Sequence, residues 1–230
     1  MLNVIFEDNE IIVCEKPSGI PSQSDKTGVP DMLSLVCEHR KLNIYLIHRL
    51  DRNVGGVMVF AKTKQAAAAL SIAMQAGKFK KTYLAIVEGN PKNEDVLENY
   101  LLKNQRLNFS KTVPENTANS KRAILKYTML EEILEENTHL NLLKIDLFTG
   151  RHHQIRVQLS HADLPIWGDV KYNVNFVKKS GFFHLALWAH GLEFAYPKTG
   201  KMMNFTSLPH EEYPFTQTTL FRHDKLYHDE

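Results

Sequence analysis

Short stretches with strand-like patterns of apolar side chains recur along most of this sequence and limit the folds available to it. Polar turns, rather than long linkers, separate them. They cover residues 4–7, 11–16, 55–63, 80–89, 98–103, 106–113, 121–130, 139–149, 185–197 and 201–208. Helical spacing occurs only between some of these strands, without regular β–α–β alternation. The sequence therefore predicts an α+β fold around a mainly antiparallel sheet.

Three segments are predicted to be helices. Asp31 is placed to cap a helix over residues 32–42, and Thr63 is placed to cap a helix over residues 64–77. A third helix is expected over residues 152–162, because its apolar side chains recur at helical spacing and form a single stripe. We expect that stripe to face the core.

The composition indicates an ordinary globular protein. Of the 230 residues, 43% are hydrophobic and 23% are charged. There is no internal repeat or linker, so we expect a single domain over residues 1–230. No apolar stretch reaches the roughly 20 residues of a membrane span, and the first residues lack a secretory-signal pattern, so we expect a cytoplasmic protein. The net charge of +2 says little about partners.

Neither the cysteines nor the histidines form a recognisable metal-binding pattern. Cys14 and Cys37 are too few for a disulfide framework or a cysteine-based zinc site, and we expect both to be buried and reduced. The histidines include no His-Glu-x-x-His pattern, and the glycines form neither a phosphate loop nor a dinucleotide-binding pattern. The sequence thus predicts no metal and no cofactor.

A carboxylate between two arginines is the first candidate for chemistry. Asp51 lies between Arg49 and Arg52, just before Gly55-Gly56 and an apolar strand. The cationic neighbours favour the ionised carboxylate and lower its pKa, which suits a nucleophile or a base. Glycines at the start of a strand let a ligand or another backbone approach closely. A surface turn with a structural ion pair explains the same residues, and this segment alone does not decide between the two.

A tyrosine and an arginine are two further candidates. Tyr83 lies in a predicted strand shortly after two lysines, so it either packs in the core or faces a phosphate-bearing ligand. Arg156 is expected to share one helical face with His152 and Ser160, beside the apolar stripe. Because arginine keeps its charge, Arg156 needs an anion, either a buried carboxylate or a phosphate.

Six segments, taken together, resemble the RluA family of RNA pseudouridine synthases. Its three signature segments are matched by HRLD at 48–51, KTYLAIVEG at 81–89 and TGRHHQIRV at 149–157. Further family motifs are matched by EKPSGIP at 15–21, IWGDVKY at 166–172 and LWAHGLEFAYPKTG at 187–200. Their order and spacing are specific to the family, and the resemblance covers nearly the whole chain.

The resemblance implies a fold, a reaction and a set of catalytic residues. The fold is a bisected, mixed but mainly antiparallel sheet with the active site in a central cleft. The reaction converts uridine within an RNA chain to pseudouridine and needs no cofactor. By similarity, Asp51 is the catalytic residue, acting as a nucleophile or as a base toward the ribose. Tyr83 stacks on the uracil and takes the C5 proton, and Arg156 pairs with Asp51 and keeps it ionised.

RNA is the implied partner, and its target base must be unpaired or leave its stack. The implied substrate-binding residues are His48, Arg49, Arg52, Lys81, Gln154 and Ile155. We expect a monomer that acts on structured ribosomal or transfer RNA, without a membrane or an obligatory protein partner. A catalytically decayed RNA-binding module is the main alternative, and an unrelated hydrolase that uses Asp51 with a histidine is another.

Two departures from the family pattern concern substrate contacts. After the aspartate the family commonly has x-x-Thr-Ser-Gly, whereas this chain has Val54-Gly55-Gly56. His152 stands where the family usually has threonine or serine. Asp51, Tyr83 and Arg156 are unchanged. We do not expect the small N-terminal RNA-binding domain of many family members, since the catalytic-domain pattern begins within the first residues.

Overall fold

The chain forms two compact units in its computed structural model. One unit comprises Met1–Thr82 and Trp188–Leu208, and the other comprises Tyr83–Leu187 and Pro209–Glu230. The structure describes residues 2–25, 28–40, 43–135, 138–181 and 183–222.

The first unit is a mixed sheet with two helices. Its strands are β1 (Asn3–Glu7), β2 (Ile11–Lys16), β3 (Tyr45–Leu46), β4 (Gly55–Ala61), β10 (Leu187–Ala195, within this unit from Trp188) and β11 (Met202–Thr206). Its helices are α1 (Met32–Arg40) and α2 (Lys64–Gln75). The strand order is β1-β2-β4-β10-β11, and β3 also pairs with β4. β4 and β10 run parallel, while the other pairs are antiparallel.

The central strands of this unit form its core because they are almost entirely apolar. Residues 11–14 of β2 are fully buried, and every residue of β4 is buried. Ala66 and Leu70 of α2 pack against this sheet. Phe79 stacks on Phe194 with ring centroids 5.0 Å apart.

Both predicted helix caps are present. Asp31 Oδ1 accepts the Ser34 N–H at 3.1 Å at the start of α1. Thr63 Oγ1 accepts the Ala66 N–H at 3.1 Å at the start of α2. These bonds satisfy N–H groups that have no partner within the helix. The last two predicted residues of the first helix, 41 and 42, lie outside the described residues.

The two cysteines are free thiols, as the sequence predicted, but they differ in burial. Cys14 is buried, and its burial raises the pKa of its thiol to about 12, so it stays protonated. Cys37 is only partly buried, which corrects the expectation that both are buried.

The second unit is also built on a sheet. Its strands are β5 (Lys80–Glu88, within this unit from Tyr83), β6 (Glu94–Asn104), β7 (Phe109–Val113), β8 (Lys121–Glu135) and β9 (Thr138–Leu147). Their order is β5-β9-β8-β6-β7. The helices are α3 (Gln154–His161), α4 (Val174–Val177) and α5 (Thr219–Arg222), with a 3-10 turn at Phe215–Gln217. α3 packs against β6 and β7.

Mixed but mainly antiparallel pairing and a minority of short helices confirm the predicted α+β fold class. Among the residues that the structure describes, no helix is long and apolar enough to cross a membrane.

β6 begins earlier than predicted, and β7 begins only at Phe109, because a turn over residues 105–108 separates them. The single domain and the central cleft stay predictions, since two compact units occur both in one bisected domain and in two domains.

Candidate active site

Asp51 lies in the first unit, in the loop that joins β3 to β4. Asp51 is partly buried, whereas Arg49 and Arg52 are exposed. The Val54 N–H donates to the Asp51 carbonyl at 3.0 Å. This turn leads directly into β4, so the carboxylate stands at the start of a fully buried strand.

The neighbours of Asp51 are bonded to the loop that follows β2. Ser22 Oγ donates to the Leu50 carbonyl at 2.9 Å and accepts the Leu50 N–H at 3.0 Å. On the other side, the Gly19 N–H donates to the Arg52 carbonyl at 2.9 Å, and Arg52 Nε donates to the Gly19 carbonyl at 2.9 Å. Because both neighbours are tied down, the backbone that carries the Asp51 carboxylate is held in place.

A fully buried lysine, which is not among the residues predicted from the sequence, completes this attachment. Lys16 is 0% exposed, and its Nζ donates to the carbonyls of Pro17 at 2.9 Å, Ile20 at 2.6 Å and Arg52 at 2.9 Å. Burial lowers the pKa of Lys16 to about 7, against the opposing effect of the Asp51 carboxylate. The sequence signals were the family motif EKPSGIP at 15–21, which contains this lysine, and its position at the end of an apolar strand just before a proline.

His48 is bonded to the sheet through one ring nitrogen. Its Nε2 accepts the Val59 N–H at 3.1 Å. Burial, and after it the positive charge of Lys81, lower the pKa of His48 to about 3. The ring is therefore neutral at pH 7, with its proton on Nδ1. Only Nδ1 remains for the substrate contact that the sequence predicts.

Arg52, which is assigned to the RNA substrate, and Lys80, one of the two lysines shortly before Tyr83, also lie near carboxylates. The guanidinium of Arg52 is 4.0 Å from Asp25, and Lys80 Nζ is 2.8 Å from Glu193. The Arg52 and Lys80 side chains are 42% and 74% exposed. Exposed ion pairs contribute little stability, so a phosphate can replace either carboxylate at small cost.

Tyr83 lies in β5, in the second unit. It is 8% exposed, and residues 84–87 after it are buried as well. The burial suits core packing, and it also suits a ring that lines a pocket. The burial alone does not separate the two interpretations of this tyrosine.

Arg156 has a carboxylate partner that the sequence analysis did not identify. Its Nε donates to Asp169 Oδ2 at 2.8 Å, and its second terminal nitrogen donates to Oδ1 at 2.6 Å. The two side chains are only 7% and 1% exposed. Asp169 Oδ1 also accepts the N–H groups of Lys171 and Tyr172 at 2.9 and 3.1 Å. The predicted need of Arg156 for a buried anion is thus met by Asp169, whereas its pairing with Asp51 stays a prediction.

Gln154 and Ile155, the two residues before Arg156, differ in the contacts that they can make with a ligand. Ile155 is a buried apolar residue. Gln154 Oε1 accepts the Thr149 hydroxyl at 2.8 Å and the Arg151 N–H at 2.9 Å. Its Nε2 donates to the Ile124 carbonyl at 3.1 Å and to Gln158 at 2.9 Å. Gln154 must therefore give up an internal bond before it contacts substrate.

One feature of the predicted third helix is wrong. The helix begins at Gln154, and its N-cap residue, His153, has a left-handed backbone with φ of 53°. His152 therefore precedes the helix and does not share a face with Arg156 and Ser160. Its ring stacks on that of His153 with centroids 3.8 Å apart. The left-handed residue turns the chain sharply, which a regular helical spacing cannot show.

The described residues contain no group of three or more His, Cys, Asp and Glu side chains that is arranged to hold a metal ion. The absence of a metal and of a cofactor stays a prediction of the sequence. The chemistry that the two units offer is a fixed carboxylate at Asp51, a buried phenol at Tyr83 and a buried guanidinium at Arg156.

The chain matches a family model described as RNA pseudouridylate synthase over residues 10–161. This span is more than half of the 230 residues and contains Asp51, Tyr83 and Arg156. A solved structure, human RNA pseudouridylate synthase domain containing 1, aligns with 91% of this chain and 84% of its own at a TM-score of 0.77. The two sequences are 19% identical, so this likeness supports the fold alone.

Curated relatives carry corresponding names. Ribosomal large subunit pseudouridine synthase C of Haemophilus ducreyi is 30% identical over 89% of this chain and 65% of its own length. Ribosomal large subunit pseudouridine synthase D of Buchnera aphidicola is 31% identical over 91% of this chain and 70% of its own length. An uncharacterized RNA pseudouridine synthase of Zymomonas mobilis is 34% identical over 84% of this chain and 87% of its own length. Sequence and fold agree, and the chain belongs to the RluA-type family of RNA pseudouridylate synthases.

Proposed function

We propose that this protein isomerises uridine to pseudouridine within RNA. In this reaction the bond from the ribose C1′ to uracil N1 breaks and a bond from C1′ to C5 forms. The C5 proton is lost and N1 gains a proton, so the atoms balance without an oxidant or an energy source. The observation that carries the proposal is the family match over residues 10–161, which contains all three candidate catalytic residues.

Asp51 is the catalytic carboxylate in this proposal. It attacks the ribose or removes a proton from it, and either role requires the ionised form. The bonds on both sides of Asp51 support the proposal, because a fixed nucleophile or base avoids the entropic cost of finding its target. Arg156 stabilises the ionised carboxylate by pairing with it, in addition to its bonds with Asp169. Tyr83 stacks on the uracil and takes the C5 proton.

Ribosomal RNA is the substrate that we propose, since relatives are named for the large ribosomal subunit. Transfer RNA is the second candidate substrate. We assign the substrate contacts to His48, Arg49, Arg52, Lys81 and Ile155, and to Gln154 only if it releases an internal bond. We further propose that the protein acts in the cytoplasm as a monomer, and its free thiols suit a reducing compartment.

The experiment that tests this function uses ribosomal RNA transcribed with uridine that carries tritium at C5. Isomerisation releases the label to water, whereas a decayed RNA-binding module or a hydrolase of another class does not release it. Reverse-transcription mapping then locates the modified uridine. No tritium release from ribosomal or transfer RNA would contradict the proposal.

Replacing Asp51 with asparagine removes the charge and keeps the size. We expect Asp51→Asn to lower the rate of tritium release by more than about 1,000-fold, the scale of a lost catalytic group. RNA binding should stay nearly unchanged. Asp163→Asn is the matched control, because Asp163 is exposed and its left-handed backbone, with φ of 57°, suits asparagine. Near wild-type release by Asp51→Asn would exclude Asp51 as the catalytic residue.

A further inference from the structure

The turn between β6 and β7 has a defined conformation in the second unit. Lys103 lies opposite Ser110 in the antiparallel pair, and the turn over residues 105–108 follows. The Leu107 N–H donates to Asn104 Oδ1 at 3.0 Å. Asn108 has a left-handed backbone with φ of 47°. The turn is therefore a shaped element of the surface and not an irregular connection.

Side chains from outside the hairpin hold this turn. His152 has one ring nitrogen 2.8 Å from Ser110 Oγ and the other 2.9 Å from Asn108 Oδ1. Lys171 Nζ donates to the Asn108 carbonyl at 3.0 Å. The Tyr172 hydroxyl accepts the Ser110 N–H at 2.9 Å. His152, a departure from the family pattern, thus braces the hairpin.

The braced turn presents positive charge to solvent. Lys103 and Arg106 are exposed. Neither side chain has a hydrogen-bond or ion-pair partner within the ranges that the structure describes. Two cations without a carboxylate partner, held on a defined turn, form a site that fits an external anion.

His153, next to His152, is affected by positive charges near this turn. The pKa of His153 is lowered to about 2, first by burial and then by positive charges nearby. These charges include Lys171 and Lys103. The two lysines therefore lie close to the same buried ring.

We infer that Lys103, Arg106 and Lys171, here called the basic hairpin surface, bind backbone phosphates of the RNA substrate. The inference rests on the proposed function, since that function makes RNA the polyanion that this protein meets. Contacts to phosphates position an RNA without reading its sequence. The basic hairpin surface thus adds contacts to the RNA backbone beyond the contacts expected at Arg49, Arg52 and Lys81.

The test compares two variants that lose the same charge. Lys103→Gln with Arg106→Gln removes two cations from the basic hairpin surface. Lys144→Gln with Lys198→Gln removes two exposed cations elsewhere. Both variants keep polar side chains on exposed positions, and circular dichroism checks that each is folded. A fluorescein-labelled RNA stem-loop of arbitrary sequence serves as the probe, because phosphate contacts do not depend on sequence.

Binding is measured by anisotropy over a series of salt concentrations. Each lost phosphate contact should lower the slope of log affinity against log salt by about 0.7–0.9. The hairpin variant should therefore lose about 1.4–1.8 from that slope, and the control should lose much less. Equal slopes for the two variants would overturn the inference. If wild-type protein releases no tritium from RNA and the slopes still differ, the result contradicts the proposed function but supports RNA binding by the basic hairpin surface.

Discussion

At the scale of single residues, the bidentate pair of Arg156 with Asp169 decides what loss of the arginine should do. The Asp169 side chain is 1% exposed, so Arg156→Met leaves a buried carboxylate without its cation. Breaking such a pair typically costs about 3–5 kcal/mol. Adding Asp169→Asn should recover much of this loss, because asparagine keeps an oxygen for the N–H groups of Lys171 and Tyr172. Thermal unfolding of the two single variants and the double variant measures the coupling.

A second cycle tests the predicted pairing of Arg156 with Asp51. Adding Asp51→Asn to Arg156→Met should restore part of the stability, and none of the activity. The recovery is only partial because the charge of Asp169 remains buried in that variant. If the effects of Arg156→Met and Asp51→Asn on unfolding add within about 0.5 kcal/mol, the two residues are not paired. The Asp169 cycle serves as the positive control.

His48 should make the fold sensitive to acid. Its folded pKa is about 3, against an ordinary value of 6.5. Below pH 6.5, His48 therefore binds a proton in the unfolded chain but stays neutral in the folded chain. The free energy of unfolding consequently falls as the pH drops toward 3. The largest slope from one such group is about 1.4 kcal/mol per pH unit. His48→Gln should flatten the measured dependence of stability on pH, and His39→Gln, at an exposed position of α1, is the matched control.

At the scale of elements, the close approach of β4 and β10 accounts for one departure from the family pattern. A Cβ atom on Gly55 would lie 2.2 Å from a ring carbon of Trp188. Trp188 Nε1 donates to Ser207 at 3.2 Å, which holds the indole in place. The family commonly has serine at position 55, and here the Trp188 ring occupies the space of its side chain.

This packing makes Gly55→Ala a destabilising substitution. Overpacking of a filled core typically costs about 1–3 kcal/mol. Gly191→Ala is the matched control, because Gly191 lies in β10 and its added Cβ would meet only Thr82 at an ordinary 3.4 Å. Thermal unfolding of both variants gives the comparison. If Gly55→Ala loses no more stability than Gly191→Ala, the Trp188 ring can move aside at little cost in free energy.

At the scale of the whole molecule, RNA binding should depend on salt, and catalysis should not depend on a metal. The cations assigned to phosphates each add about 0.7–0.9 to the salt slope of wild-type binding. We expect activity to survive EDTA once the RNA is folded, since the sequence contains no recognised metal-ligand pattern. Tritium release from an unstructured RNA, with and without EDTA, avoids effects on RNA folding. Loss of that release in EDTA would show that a metal is required.

Patterns within a few residues of each other were readable from the sequence. Short strand-like segments located β2 and β4, and the capping residues Asp31 and Thr63 located the starts of α1 and α2. The resemblance named the family correctly, because its motifs are short and contiguous. The boundary of α3 was misjudged, because the left-handed conformation of His153 has no local signal in a residue that is not glycine.

The sequence by itself determined the fold class, the family and the candidate residues Asp51, Tyr83 and Arg156. Only the tertiary structure decided that Asp169 binds Arg156, that Lys16 ties the Asp51 loop to the end of β2, and that Trp188 requires glycine at position 55. The physical reason is that burial and charge pairing depend on which distant segments become neighbours. Local side-chain patterns constrain φ, ψ and the buried face of each element, but they do not state which partner occupies that face.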